Sequence, residues 1–216
     1  MLIKEIHNTI SIPLKNVVLK GVLHVPKNAK GLVLFSHGSG SSRLSPRNNY
    51  VANVLQQNNL ATLLFDLLTE KEDEIYETRF NIDLLTQRLI AVTQWVQEHM
   101  ETKGLPIGYF GASTGAASAL RAAAHFGKEI KAVVSRGGRP DLALSELHKV
   151  NAATLLLVGG LDDVVITLNQ KAYNNLQCER KLEIIPGASH LFEEKGKLEE
   201  VARQSSAWFT KWLPSK

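Results

Sequence analysis

From Gly31 onward, short unbroken apolar runs alternate with longer stretches of helical period, and that alternation limits the fold more than any other feature. The runs are Leu32 to Ser36, Ala61 to Phe65, Ile107 to Phe110, Ala132 to Ser135, Thr154 to Val158 and Leu182 to Ile185. A strand apolar at every position is covered on both faces, which is the habit of parallel sheets flanked by helices. Helices are predicted at about Arg47 to Gln57, Arg79 to His99, Thr114 to Phe126, Thr167 to Leu176 and Leu198 to Trp212. In the second of these, Leu84, Leu85, Leu89, Val92, Val96 and Met100 recur at near-helical spacing and form one apolar stripe.

Two earlier segments, Ile3 to Ile12 and Val17 to Val25, read as antiparallel strands, with Lys20-Gly21 marking a turn or a bulge in the second. The predicted class is therefore α/β: a mostly parallel central sheet, antiparallel N-terminal strands and helices on both faces. A length of 216 residues suits one domain over 1–216. In open sheets of this kind the chemistry sits at the carboxyl ends of the strands, so the loops that follow each run are where to look.

Composition removes several classes of function. The 25 Lys and Arg against 21 Asp and Glu leave a mild, dispersed charge of +4, with no cluster fit for nucleic acid. Cys178 is the sole cysteine, so no internal disulfide or thiolate metal cluster is expected. The N-terminus lacks a secretory pattern, and the run from Ala61 to Leu68 is far too short to span a bilayer. A cytoplasmic protein with no membrane partner and no cofactor is expected, and a homodimer is left open.

One loop carries the strongest chemical signal. Gly111, Ser113 and Gly115 form Gly-x-Ser-x-Gly between an apolar strand and an alanine-rich helix. A strand that turns sharply into a helix while presenting a serine needs flanking positions nearly free of side chain. The bland reading is a tight strand-to-helix turn. The surrounding strand and helix are the context that the nucleophile reading requires, and they place the Thr114 amide at the positive end of that helix, toward a developing oxyanion.

A serine hydroxyl needs a base, and the base needs an acid to fix its tautomer. His125 lies in the helix after the serine and His148 in a charged stretch, whereas His190 follows the last strand in a turn-rich loop. Asp162, in Gly159-Gly160-Leu161-Asp162-Asp163, is the predicted acid. Asp163 is the fallback and Asp66 a minor alternative, and an Asx turn or helix cap is the competing role for these aspartates. The loop His37-Gly38-Ser39-Gly40 offers a second oxyanion amide, Ser39 first and Gly38 next. His37 reads as a structural histidine, and a phosphate cradle fails because the Gly-Lys-Ser/Thr ending is missing.

Together, His37 to Ser42, Gly111 to Gly115, Gly160 to Val165 and Gly187 to His190 resemble the α/β-hydrolase superfamily, within it the dienelactone hydrolase-like group. The resemblance runs from about Val17 to Leu213. It implies cleavage of an ester, lactone or thioester through an acyl-serine, with Ser113, Asp162 and His190 as the triad and no cofactor. Dienelactone hydrolases proper use a cysteine nucleophile, whereas Ser113 stands here. Only Arg136 to Ala153 separates two strands where many relatives insert a lid, so an open, shallow site is expected. Arg136 and Arg139, with Arg43 and Arg47, border that site and are candidates for binding a carboxylate or phosphate; Arg43 and Arg136 are the provisional choices. The competing role is ion pairing with Asp66, Glu70 or Asp141. A small ester or lactone is the expected partner, with thioesterase, peptidase and non-catalytic binding protein as alternatives.

Overall fold

The computed structural model describes residues 6–213, so the first three residues of the strand expected at Ile3 lie outside the described residues. The strands are β1 (Ile6–Pro13), β2 (Val18–Val25), β3 (Leu32–Ser36), β4 (Ala61–Phe65), β5 (Ile107–Ala112), β6 (Ile130–Arg136), β7 (Ala153–Gly159) and β8 (Arg180–Ile185). The helices are α1 (Pro46–Gln57), α2 (Glu70–Asp73), α3 (Ile82–Glu98), α4 (Thr114–Phe126), α5 (Asp163–Asn175) and α6 (Lys197–Trp212). The sheet order is β1-β2-β4-β3-β5-β6-β7-β8. β2 is antiparallel to β1 and β4, and every other pairing is parallel.

Alternate residues of the fully buried strands feed two cores. Leu34, Leu63, Tyr109 and Val133 pack with Leu89 and Val92 of α3 and Leu120 of α4. Phe35, Phe110, Val134 and Leu157 pack with Val51 and Leu55 of α1 and Phe209 of α6. This two-sided burial explains why the central strands read as continuous apolar runs.

Four local expectations are corrected. β2 runs through Gly21 without a turn or a bulge. A Cβ there would meet side chains of Leu63, Ile10 and Ile12 at 3.2–3.3 Å, so the glycine serves packing rather than a turn. The helix expected from Arg79 starts at Ile82, because the Asn81 side chain accepts the Leu84 N–H at 3.0 Å and caps it there. A capping box of Thr69 and Glu72 builds the short α2 that periodicity did not show. α5 begins at Asp163, one turn before the predicted Thr167. Between β6 and β7 stand two single 3-10 turns, Pro140–Ala143 and Leu147–Lys149, and no lid domain. Among the described residues no helix is long and apolar enough to cross a membrane.

Candidate active site

Ser113 sits at the junction of β5 and α4 with φ 50° and ψ −123°, a conformation that non-glycine residues rarely adopt. Such strain costs on the order of 1–3 kcal/mol and persists only where the surroundings impose it. Here they do. The Ser113 N–H donates to the Arg136 carbonyl at 3.2 Å, and the Ser113 carbonyl accepts from the Arg139 N–H at 3.0 Å. A Cβ on Gly111 would lie 2.5 Å from Ala116 Cα, and one on Gly115 would collide with the Ser36 and His37 carbonyls. The glycines let α4 start directly against β3 and β5, which forces the serine outward.

His190 follows β8, and Asp162 occupies the turn between β7 and α5. His190 Nδ1 lies 2.6 Å from Asp162 Oδ2. Asp162 is the residue that precedes α5, yet its side chain makes no capping bond, so the carboxylate is committed to the histidine. Asp163, the fallback, is exposed at the start of α5. Asp66, the minor alternative, bonds Arg43.

The acid turn and the histidine loop are stitched together by backbone. Gly160 N–H donates to Ile185 O at 2.8 Å and Leu161 N–H to Ala188 O at 3.0 Å. A Cβ on Gly159 would come within 2.5 Å of the Ala188 and Ser189 carbonyls, so only glycine permits that crossing. Phe192, wholly buried at φ 58°, pins the far end of the histidine loop. The two loops also meet the serine's neighbours: His190 Cε1 stands 3.5 Å from where a Cβ of Gly137 would be, and Gly137 follows the residue that holds the Ser113 amide.

His37 is a brace, as its place in the loop suggested. Its Nε2 accepts the Leu67 N–H at 3.0 Å, which leaves the ring proton on Nδ1 to donate to Gly38 O at 2.9 Å. Burial holds its pKa below the ordinary histidine range, against opposing pulls from the Gly38 carbonyl, Asp66 and Asp73. The neutral ring thereby fixes the loop that carries Gly38 and Ser39. Gly38 passes directly over the nucleophile, since a Cβ on it would be 3.1 Å from Ser113 Cβ.

The predicted oxyanion amides are adjacent but not equivalent. Thr114 is the first residue of α4, where a helix offers its N–H no acceptor. The Ser39 N–H, by contrast, already donates to Thr114 Oγ1 at 2.9 Å. Nothing in the sequence pattern signals that side-chain contact beyond a threonine next to the serine.

The arginines divide. Arg43 is bonded through both its backbone N–H and its guanidinium to Asp66, so the ion pair expected as its competing role is formed. Arg139 forks onto Asp141 at 2.9 and 2.8 Å, and Arg47 reaches Glu193 at 2.8 Å. Arg136 pairs with no carboxylate among the described residues. It is 7% exposed at the end of β6, and its guanidinium lies 5.9 Å from the Phe192 ring centroid. Burial, and secondarily the Arg47 charge, push its pKa down to about 10.

Comparison with known proteins places the chain in a family. The family described as "Dienelactone hydrolase family" matches residues 52–213. A crystal structure of a dienelactone hydrolase from Anabaena variabilis superposes with a TM-score of 0.95 at 54% identity, over 97% of this chain and 99% of that one. An α/β serine hydrolase without a lid from Xanthomonas campestris shares the fold alone, with a TM-score of 0.77 at 19% identity over 97% and 96% of the two chains. Two Mycobacterium tuberculosis proteins, provisionally named phosphoribosyl transferases, are 54% identical over 89% of this chain. The chain spans only 44% of their length.

Proposed function

The chain belongs to the dienelactone hydrolase family, and on that footing we propose that it is a hydrolase that cleaves carboxylic esters or lactones of small soluble substrates through an acyl intermediate on Ser113. The observation that carries this reading is the Asp162–His190 bond of 2.6 Å in loops laced to the serine's own neighbours.

In this mechanism the Ser113 hydroxyl attacks the carbonyl carbon while His190 Nε2 takes its proton. Asp162 holds the proton on Nδ1 and balances the imidazolium. The carbonyl oxygen, now an oxyanion, receives the Thr114 N–H and the Ser39 N–H, the latter turning from Thr114 Oγ1 as the charge develops. Collapse of the tetrahedral species breaks the bond to the alkoxy group, which leaves with the proton from His190. Water then repeats the sequence, its proton passing to His190 and its oxygen to the acyl carbon, and Ser113 is released.

Phosphoribosyl transfer, named for the longer relatives, has no counterpart in this reading. The glycine-rich segments here shape a serine elbow and an oxyanion loop, not a phosphate cradle. A panel of p-nitrophenyl esters and aryl lactones tests the proposal. Hydrolysis that disappears in Ser113→Ala supports it, and equal rates in the wild type and that variant would refute it.

A further inference from the structure

Arg136 is the anomaly of the catalytic edge. A buried guanidinium without an anion keeps the full cost of its desolvation, and folded proteins normally offset it by pairing. No acceptor among the described residues bonds any of its N–H groups, and its Nε is both buried and unpartnered. The surroundings do not relieve this charge. Strand alternation puts its side chain in the layer beneath α1 and α6, with those of Val134 and Ala132 two and four residues earlier. There it lies over the Phe192 ring, and the charge of a second cation, Arg47, acts on it.

Arg47 is the second residue of α1, and its Nε is also buried without a partner. Its remaining charge is matched by Glu193, which is 61% exposed, so no carboxylate is left for Arg136. In the first turn of α1, Ser45 Oγ caps the Asn48 N–H, while the Arg47 N–H has no helical acceptor. Arg136 lies over the Phe192 ring and Arg47 bonds the next residue, Glu193, so two guanidinia with unmet donors stand at one edge, Arg47 being in the first turn of a 12-residue helix. The other arginines of this edge, Arg43 and Arg139, are each closed by an aspartate.

We propose that Arg136 and Arg47, with the first turn of α1, form a subsite for a phosphate monoester group carried by the ester substrate. The proposal rests on Ser113 being the acylated serine, since the subsite gains its meaning from the bond that ties Arg136 O to the Ser113 N–H. Phosphate fits better than carboxylate for a geometric reason. A carboxylate presents two coplanar oxygens, which one arginine fork satisfies. Here two forks stand on separate elements, beside the consecutive residues Phe192 and Glu193, and a phosphate monoester offers three oxygens in different directions and between one and two negative charges. Arg136 is in this view a specificity residue; it takes no part in the proton transfers.

Calorimetric titration of the full chain with inorganic phosphate, sodium acetate as comparison, tests the subsite without any turnover. Phosphate is expected to bind at one site and acetate at least tenfold more weakly. Arg136→Gln should weaken phosphate at least tenfold and Arg47→Gln severalfold, with Arg136→Lys intermediate. Unchanged phosphate affinity in both Arg136→Gln and Arg47→Gln, or acetate bound as tightly as phosphate, would overturn the proposal. A kinetic arm uses three aryl esters alike except for a phosphate, a carboxylate or no charge on the same position. The phosphorylated ester should show the lowest KM, by at least tenfold over the neutral one, and Arg136→Gln should remove that advantage. Arginine-dependent phosphate binding with no ester cleaved would leave the subsite standing and end the serine-esterase reading. Brisk cleavage without preference for the phosphorylated ester would do the reverse.

Discussion

Asp162 Oδ2 accepts from His190 Nδ1 at 2.6 Å across a gap of 28 residues, and the pair is held by backbone bonds rather than by its own attraction. With Gly160 and Leu161 donating into the histidine loop, the carboxylate has little freedom to leave the ring. Replacing Asp162 by Asn should leave that scaffold intact and favour the wrong imidazole tautomer. We expect kcat to fall on the order of 10⁴-fold. Asp163→Asn, at an exposed position, should stay near the wild-type rate. Comparable losses in the two variants, read by steady-state kinetics, would show that the acid is misassigned.

Ser113 carries a backbone conformation that glycine adopts freely. Ser113→Gly should therefore raise stability by about 1–2 kcal/mol while abolishing hydrolysis. Chemical denaturation of this variant beside Ser113→Ala, which keeps a Cβ, separates strain from loss of the hydroxyl. If Gly and Ala prove equally stable, the elbow is not strained.

Gly115 and Gly159 are demanded by contact with backbone, which cannot move aside as a side chain can. A Cβ at Gly115 would overlap Ser36 O, and one at Gly159 would press on Ala188 O and Ser189 O. Each alanine variant should lose about 3 kcal/mol or more. Gly159→Ala should also displace His190 and reduce kcat in whatever fraction still folds. Gly104→Ala is the control for crowding, because nothing lies within 4 Å of the added carbon, although its φ of +82° brings some backbone strain. Unfolding midpoints that match this control would refute the close-packing argument.

His37 links stability to pH. Its folded pKa lies below the ordinary 6.5 because burial disfavours the imidazolium. The unfolded chain therefore takes up this proton first as pH falls, so the contribution is present above 6.5 and is lost below it. The wild type should lose stability on acidification from pH 7 to pH 5, a window above the range in which Glu72, itself held low, is protonated. His37→Gln should flatten that slope while costing stability at pH 7. Melting temperatures with the same slope in both proteins would place the dependence elsewhere.

Much of this architecture is legible in the sequence for a physical reason. β3 through β7 are buried at nearly every residue, so their apolar runs stand out without any alternation to interpret. The glycines around Ser113, Asp162 and His190 are visible because tight crossings tolerate little else. Less is legible where side-chain contact decides. The start of α3 after Asn81 depends on one capping bond, and α5 begins at Asp163 although Asp162 turns to His190 and gives it no side-chain cap. Arg43, Arg47, Arg136 and Arg139 look alike as letters. Only the fold shows that three are paired and that Arg136, among the described residues, meets no carboxylate.

The central claim is that the Ser113 hydroxyl is made nucleophilic by His190 in its partnership with Asp162. Mass spectrometry after exposure to a fluorophosphonate tests it most directly. A single adduct is expected on the peptide that carries Ser113, forming at least a hundredfold more slowly in His190→Ala. Labelling at any other serine, or at Ser113 with a rate indifferent to His190, would contradict the account.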